Sequence, residues 1–212
     1  MNKKAQFFPY KDENPREHFP AVTIALIVVN VIVFLYTLTN LDYFIEQFGF
    51  KPAAPLLLTV FTSMFLHGGL AHIFGNMWYM WIFADNVEDK FGKVYFLIFY
   101  LLSGVAATIL HYFKNMGSAA PAVGASGAIS GVLGAYIVLF PSVKVLVGGR
   151  FGVYPINASI MIGFWFVMQL FLGGFSLLQQ SGTGVAFFAH VGGFVFGAGV
   201  TWIMVRMRIV KK

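Results

Sequence analysis

Ser126 stands in Gly124-Ala125-Ser126-Gly127-Ala128-Ile129-Ser130-Gly131, a run of small residues that opens a hydrophobic segment. A serine in the first turn of a helix lies beside backbone N–H groups that lack intrahelical partners. Their partial positive charge favours an oxyanion forming next to the hydroxyl. The same run also suits tight helix packing, because Gly127 and Gly131 form a small-x-x-x-small pair. Other polar side chains interrupt apolar stretches elsewhere: His190, and His72 with Asn76 four positions later. An imidazole beside a serine is an established way to make a nucleophile. His72 and Asn76 fall one turn apart on a helix face, and both can donate hydrogen bonds to a developing oxyanion. Together these residue types can do acyl transfer.

The chain that must position them is 58% apolar, 18% aromatic and only 10% charged over 212 residues. Soluble domains carry about 25% charged residues, so a soluble fold is excluded. Several apolar runs approach the ~20 residues that cross a bilayer as a helix. The expected fold class is all-α, a polytopic membrane protein. Six spans are expected, at 21–39, 70–83, 94–113, 126–140, 155–172 and 185–204, with Pro155 favourable in a first helical turn. The first is too long for a signal-peptide core and lacks a small-residue cleavage site, so it reads as a retained anchor. Residues 40–66 are greasy but broken by Gly49, Pro52 and Pro55, which fits a loop dipping into the membrane interface. Residues 1–20 read as a solvated tail and 141–154 as a loop. There is no cysteine, which removes disulfides, thiolate ligands and a cysteine nucleophile.

Charge orients the bundle. Twelve Lys and Arg fall in the two tails and the loops after spans two and four, against only Lys51 and Lys114 on the opposite side. That bias puts both termini in the cytoplasm and leaves little basic charge to argue for nucleic acid. Spans two, four and six then all enter from the outer side. At ~1.5 Å per residue, Asn76 and His190 lie roughly 9 Å below their helix starts, with His72 and Ser126 nearer theirs. Glycine faces on span four (Gly127, Gly131, Gly134) and span six (Gly193, Gly197) allow the close approach that would bring His190 to Ser126. Hydrolysis needs water, so this layer should open as a hydrophilic pocket to the outer side.

Other chemistries fit less well. Asp85 is about 20 Å along the helix from His72, so no carboxylate completes a triad and a Ser–His dyad is the economical arrangement. Ala128 replaces the last glycine of a G-x-S-x-G elbow, and no strand precedes it. His67 and His72 are five apart and H-E-x-x-H is absent, which disfavours a metalloprotease. Glu88 reads as a helix-end anchor, His67 as a loop residue or one that supports the site from behind, and His111 as structural.

The set resembles the rhomboid family of intramembrane serine proteases. The matching pieces are His67-Gly68-Gly69-Leu70-Ala71-His72 with Asn76, the G-x-S-G of Gly124–Gly127, Ala189-His190 with Gly193 and Gly197, and the acidic motif around Glu88 and Gly92. The resemblance implies a six-helix membrane domain over 19–205, between a short cytoplasmic tail (1–18) and a basic one (206–212). It implies Ser126 as nucleophile, His190 as general base and then acid, and His72, Asn76 and the Ser126 N–H as the oxyanion hole. Gly124, Gly127, Gly193 and Gly197 would support the motif and its packing. It also implies single-pass membrane-protein substrates cleaved near the outer face at small residues, the lipid bilayer as the other partner, and no cofactor or metal. Span five and the stretch Gly173–Gly184 would form a mobile gate and cap. Two departures stand out: the first loop has no Trp-Arg pair, and Ser130 stands where other members carry a tyrosine packed on the histidine. A catalytically inactive scaffold of the same fold would be expected to lack Ser126 or His190. A small transporter would be expected to show repeated halves, and residues 20–113 and 124–204 do not match.

Overall fold

The computed structural model describes residues 8–149, 152–179 and 186–211. Eight helices carry most of them: α1 (Ala21–Thr37), α2 (Leu41–Phe48), α3 (Leu57–Thr62), α4 (Leu70–Phe91), α5 (Lys93–Lys114), α6 (Ser126–Leu139), α7 (Ala158–Gln179) and α8 (Phe187–Arg206). Each expected span contains one of these helices, with 155–157 belonging to a strand instead. Among the described residues, α5, α7 and α8 are long and apolar enough to cross a membrane alone. The pairs α1/α2 and α3/α4 qualify only as spans bent by 118° and 86°.

Helix α6 is the centre. Its residues from Gly127 to Tyr136 are all buried, as a helix apolar all round must be. Its 14 residues span about 21 Å, short of the ~30 Å hydrocarbon thickness. Helix α8 packs on α6 with backbone in contact. A Cβ on Gly193 would collide with the carbonyl oxygen of Gly127, and one on Gly197 with the backbone of Gly131. Backbone atoms cannot rotate aside as a flexible side chain can. Gly197→Ala should therefore cost about 3 kcal/mol or more by overpacking, lowering the thermal midpoint in detergent. Gly199→Ala, which meets nothing within 4 Å, should leave it unchanged.

The stretch expected to dip into the interface is made of short pieces: α2, α3 and a 3₁₀ turn, Ser63–Phe65. Leu56, Leu57 and Leu58 are exposed, consistent with an apolar surface meeting lipid. Its backbone holds the segment that enters α6. Phe50 and Ala122 exchange N–H···O bonds of 3.0 and 2.8 Å, and the Gly124 N–H donates to the Ser63 carbonyl at 2.9 Å.

The end of the bundle opposite the start of α6 differs from the expected tail and loop. β1 (Phe8–Asp12), β2 (Lys144–Gly149) and β3 (Gly152–Asn157) form an antiparallel sheet in the order β1-β2-β3. Val145 and Val147 of β2 are buried, the alternation that lets a strand cover a core. Pro155 does not open a helix. It lies in the edge strand β3 opposite Leu146, a place that tolerates a residue without an N–H, and α7 starts three residues later. Helix α4 runs two turns past the expected end because its polar residues find partners upstream. The Glu88 carboxylate accepts from the N–H groups of Val22 and Thr23 and from the Thr23 hydroxyl, at 2.7–2.9 Å. It thereby satisfies free donors at the start of α1. Arg16 pairs with Asp85, and His18 with Asp89. Of the stretch Gly173–Gly184, residues 173–179 continue α7, and 180–184 lie outside the described residues.

Asp12 ties this sheet to the bundle. Its Oδ2 accepts from the Tyr136 hydroxyl of α6 at 2.6 Å and from the Asn86 amide of α4 at 2.7 Å. Burial pushes its pKa up from 3.8 to about 6, the Tyr136 hydrogen bond opposing and Asp85 reinforcing the rise. A raised folded-state value means that the folded protein holds this proton more tightly than the unfolded chain. The associated stability is present below pH 3.8 and is lost as pH rises through about 6. Asp12→Asn keeps an acceptor for Tyr136 and cannot ionise. It should raise the thermal midpoint above pH 6 and flatten its fall between pH 4 and 7, as thermal melts in detergent at stepped pH would show.

Candidate active site

Ser126 is the first residue of α6. The chain reaches it through Gly124, whose φ of +126° lies in a region open to glycine. That conformation is joined by a close approach. A Cβ on Gly124 would sit 2.7 Å from His72 Nε2 and 3.7 Å from Ser126 Oγ. Both polar atoms therefore border the space beside the Gly124 Cα. The first N–H groups of α6, including that of Ser126, point out of the helix start without intrahelical acceptors.

His190, in the first turn of α8, lies across from the serine. Its Nε2 is 2.8 Å from Ser126 Oγ, so the hydroxyl can donate to the ring nitrogen. On its other side, Nδ1 is 2.8 Å from Gln169 Oε1 of α7. The indole of Trp165, also on α7, lies against the imidazole with ring centroids 6.0 Å apart. The close helix approach is what makes the first contact possible, since the Gly127–Gly193 crossing falls one turn below it.

His72 and Asn76 occupy the first two turns of α4. The Gly68 N–H donates to His72 Nδ1 at 3.3 Å, which leaves the ring proton on Nε2, the atom that borders the space beside Gly124. One N–H of the buried Asn76 amide donates to the His72 carbonyl at 2.8 Å, fixing the side chain on that face of α4. His67 lies in the connection before α4, is fully buried and packs edge-on against His72, centroids 5.2 Å apart, so of the two expected readings it fits a residue that supports the site from behind. His111 is apart from this cluster, against Phe50 and bonded to Asn115. It does line, with Gly124, Ser126, Ala128 and Ala189, a small cavity of about 40 Å³ beside the serine. Ser130 turns back along its own helix and donates to the Ser126 carbonyl at 2.6 Å.

The structure thus gathers Ser126, His190 and His72 around one space, with Asn76 anchored one turn below. Gly124, Gly127, Gly193 and Gly197 stand at the close approaches that allow it. Gln169 and Trp165 escaped the reading by motif, because neither stands in a recognisable spacing. A signal existed: Gln169 is an amide in the middle of an apolar span, and polar groups there need a partner inside the bundle.

Comparison with known proteins gives the family. The family described as Rhomboid domain matches residues 55–207. The chain is 28% identical to "Rhomboid protein 1, mitochondrial" of Saccharomyces cerevisiae over 92% of its own length and 55% of the relative. It is 30% identical to "Presenilin-associated rhomboid-like protein, mitochondrial" of Mus musculus over 81% of its length and 45% of the relative. With the protein of that name from Bos taurus, identity is 34% over 55% of the chain and 32% of the relative. The chain therefore spans about half or less of the length of these relatives. The family match covers most of the bundle, from the end of the first loop to the end of α8: the chain belongs to the rhomboid family.

Proposed function

We propose that the chain is an intramembrane serine endopeptidase that hydrolyses peptide bonds in or near transmembrane segments of membrane proteins. The observation that carries the reading is the 2.8 Å contact between Ser126 Oγ and His190 Nε2. In this mechanism His190 Nε2 takes the hydroxyl proton as Ser126 Oγ attacks the scissile carbonyl carbon. The oxyanion forms beside the Ser126 N–H and the His72 Nε2–H, with the second N–H of Asn76 available from the same face. His190 then gives its proton to the leaving amine, and the acyl-serine is released by water activated by the same imidazole.

We place the chain in a cell or inner membrane, with both termini cytoplasmic, on the strength of its lysine and arginine bias. The relatives above carry mitochondrial names; in an inner mitochondrial membrane the same bias would set the termini on the matrix side. The test of the activity is cleavage of a single-span substrate, with small residues near its outer end, by the protein purified in detergent. Ser126→Ala is the comparison.

A further inference from the structure

Helix α7 turns a lipid-like face outward and a packed face inward. Ile160, Phe164, Val167 and Phe171 are exposed, whereas Ala158, Ile162 and Gln169 are buried. Gln169 is the residue that does not belong by polarity. An amide on the buried face of an apolar span is costly unless another group meets it, and here it meets the outer nitrogen of His190 at 2.8 Å. A neutral imidazole has one N–H and one lone pair, and a hydrogen bond at one nitrogen decides which is which. With the Gln169 oxygen accepting from Nδ1–H, the Nε2 lone pair faces Ser126. With Nδ1 unheld, the proton can sit on Nε2, where it blocks proton abstraction.

We propose that Gln169 is a positioning residue for His190, doing with a neutral amide what an orienting carboxylate does in a three-residue catalytic chain, and that it makes arming of the base depend on where α7 lies. The inference rests on the protease reading above. Its geometric basis is that the orienting group is on a different helix from both members of the dyad. At its inner end α7 is held by backbone bonds, Ala158 N–H to Val143 O and Ser159 N–H to Pro141 O. Further along, its contacts with α8 include the Phe166–Phe194 stack (4.3 Å), Trp165 against His190 and Phe194, Gln169 itself, and the close approach of Gly173 to Phe187 and Phe188. Movement of this half of α7 away from α8 would separate Gln169 from Nδ1 before it disturbed the α6–α8 crossing that sets the Ser126–His190 distance. A displaced α7 therefore leaves the two catalytic side chains close together but the base without its tautomer. No proton leaves Nδ1 in the reaction; Gln169 only holds it there.

The experiment compares Gln169→Met, which keeps length but has no strong acceptor, with Gln169→Glu, which keeps an acceptor oxygen at the same reach. Both are assayed as full-length protein in detergent, beside wild type and Ser126→Ala. Gln169→Met is expected to lower kcat about ten- to a hundredfold, as loss of an orienting partner of a functional imidazole generally does, with KM unchanged within about twofold. Gln169→Glu is expected to stay within about threefold of wild-type kcat. A merely structural role predicts otherwise, since a charged or protonated carboxyl is the worse packing substitute of the two. Full kcat in Gln169→Met, or a loss in Gln169→Glu as large as in Gln169→Met, would overturn the role. The Ser126→Ala arm keeps the two readings apart. If it is inactive while Gln169→Met is fully active, the dyad stands and the Gln169 assignment fails.

Discussion

Ser126→Ala should reduce cleavage of a single-span substrate to background, a loss of at least about 10³-fold in turnover, since removing the nucleophile of such a unit removes its action entirely. The fold should survive unchanged. The Ser126 hydroxyl has His190 as its partner, and the side chain lost is one oxygen at the first residue of α6. The backbone groups that set the helix start, including the Ile129 N–H donating to Ala125 O, are untouched. Equal thermal midpoints for wild type and variant, with cleavage only in the former, would establish a catalytic rather than structural serine. Persistent cleavage by the variant, at wild-type rate and from a preparation free of other proteases, would remove Ser126 from the mechanism.

His72→Leu should lower kcat by about 10²–10³, the usual effect of losing one oxyanion donor, with KM little changed. Its ring is oriented from outside the reaction space. The Gly68 N–H bonds Nδ1 and so commits Nε2 to donate into the space beside Gly124. Leucine removes that donor while filling similar volume. His72→Gln retains an N–H at comparable reach and should recover part of the rate. A loss confined to KM in either variant would instead assign His72 to substrate binding. The Gln169 effect is expected to be smaller than either, because Gln169 acts on the base and not on the reacting atoms.

The readable part of this protein was the part written in short-range pattern. Apolar runs of about twenty residues announce helices in a membrane whatever surrounds them, because backbone groups in hydrocarbon must be satisfied within the segment. Each of the six expected stretches contains a helix, though 155–157 of the fifth is strand. Glycines at four-residue spacing on spans four and six announced a close crossing, and the structure puts Gly193 and Gly197 against the α6 backbone. Glu88, expected to anchor a helix end, bonds the start of α1. The sheet was not readable in the same way. Val145 and Val147 alternate as a strand should, but β1 is five residues with a proline, and its pairing partner lies more than 130 residues away. Pairing at that separation leaves no local signature.

What the sequence by itself determined is therefore where the long apolar helices lie, the glycine faces on spans four and six that can approach, and the residue types able to do acyl transfer. What only the tertiary structure decided is which polar side chains meet. Helix length and composition leave rotation and axial shift free, and a shift of one residue moves a side chain by 100° and 1.5 Å, more than a hydrogen bond tolerates. Ser126 and His190 are 64 residues apart and His190 and Gln169 are 21. Packing of α6, α7 and α8 against one another, governed by glycine contacts and aromatic stacking, brings each pair to 2.8 Å and makes α7 a neighbour of the dyad.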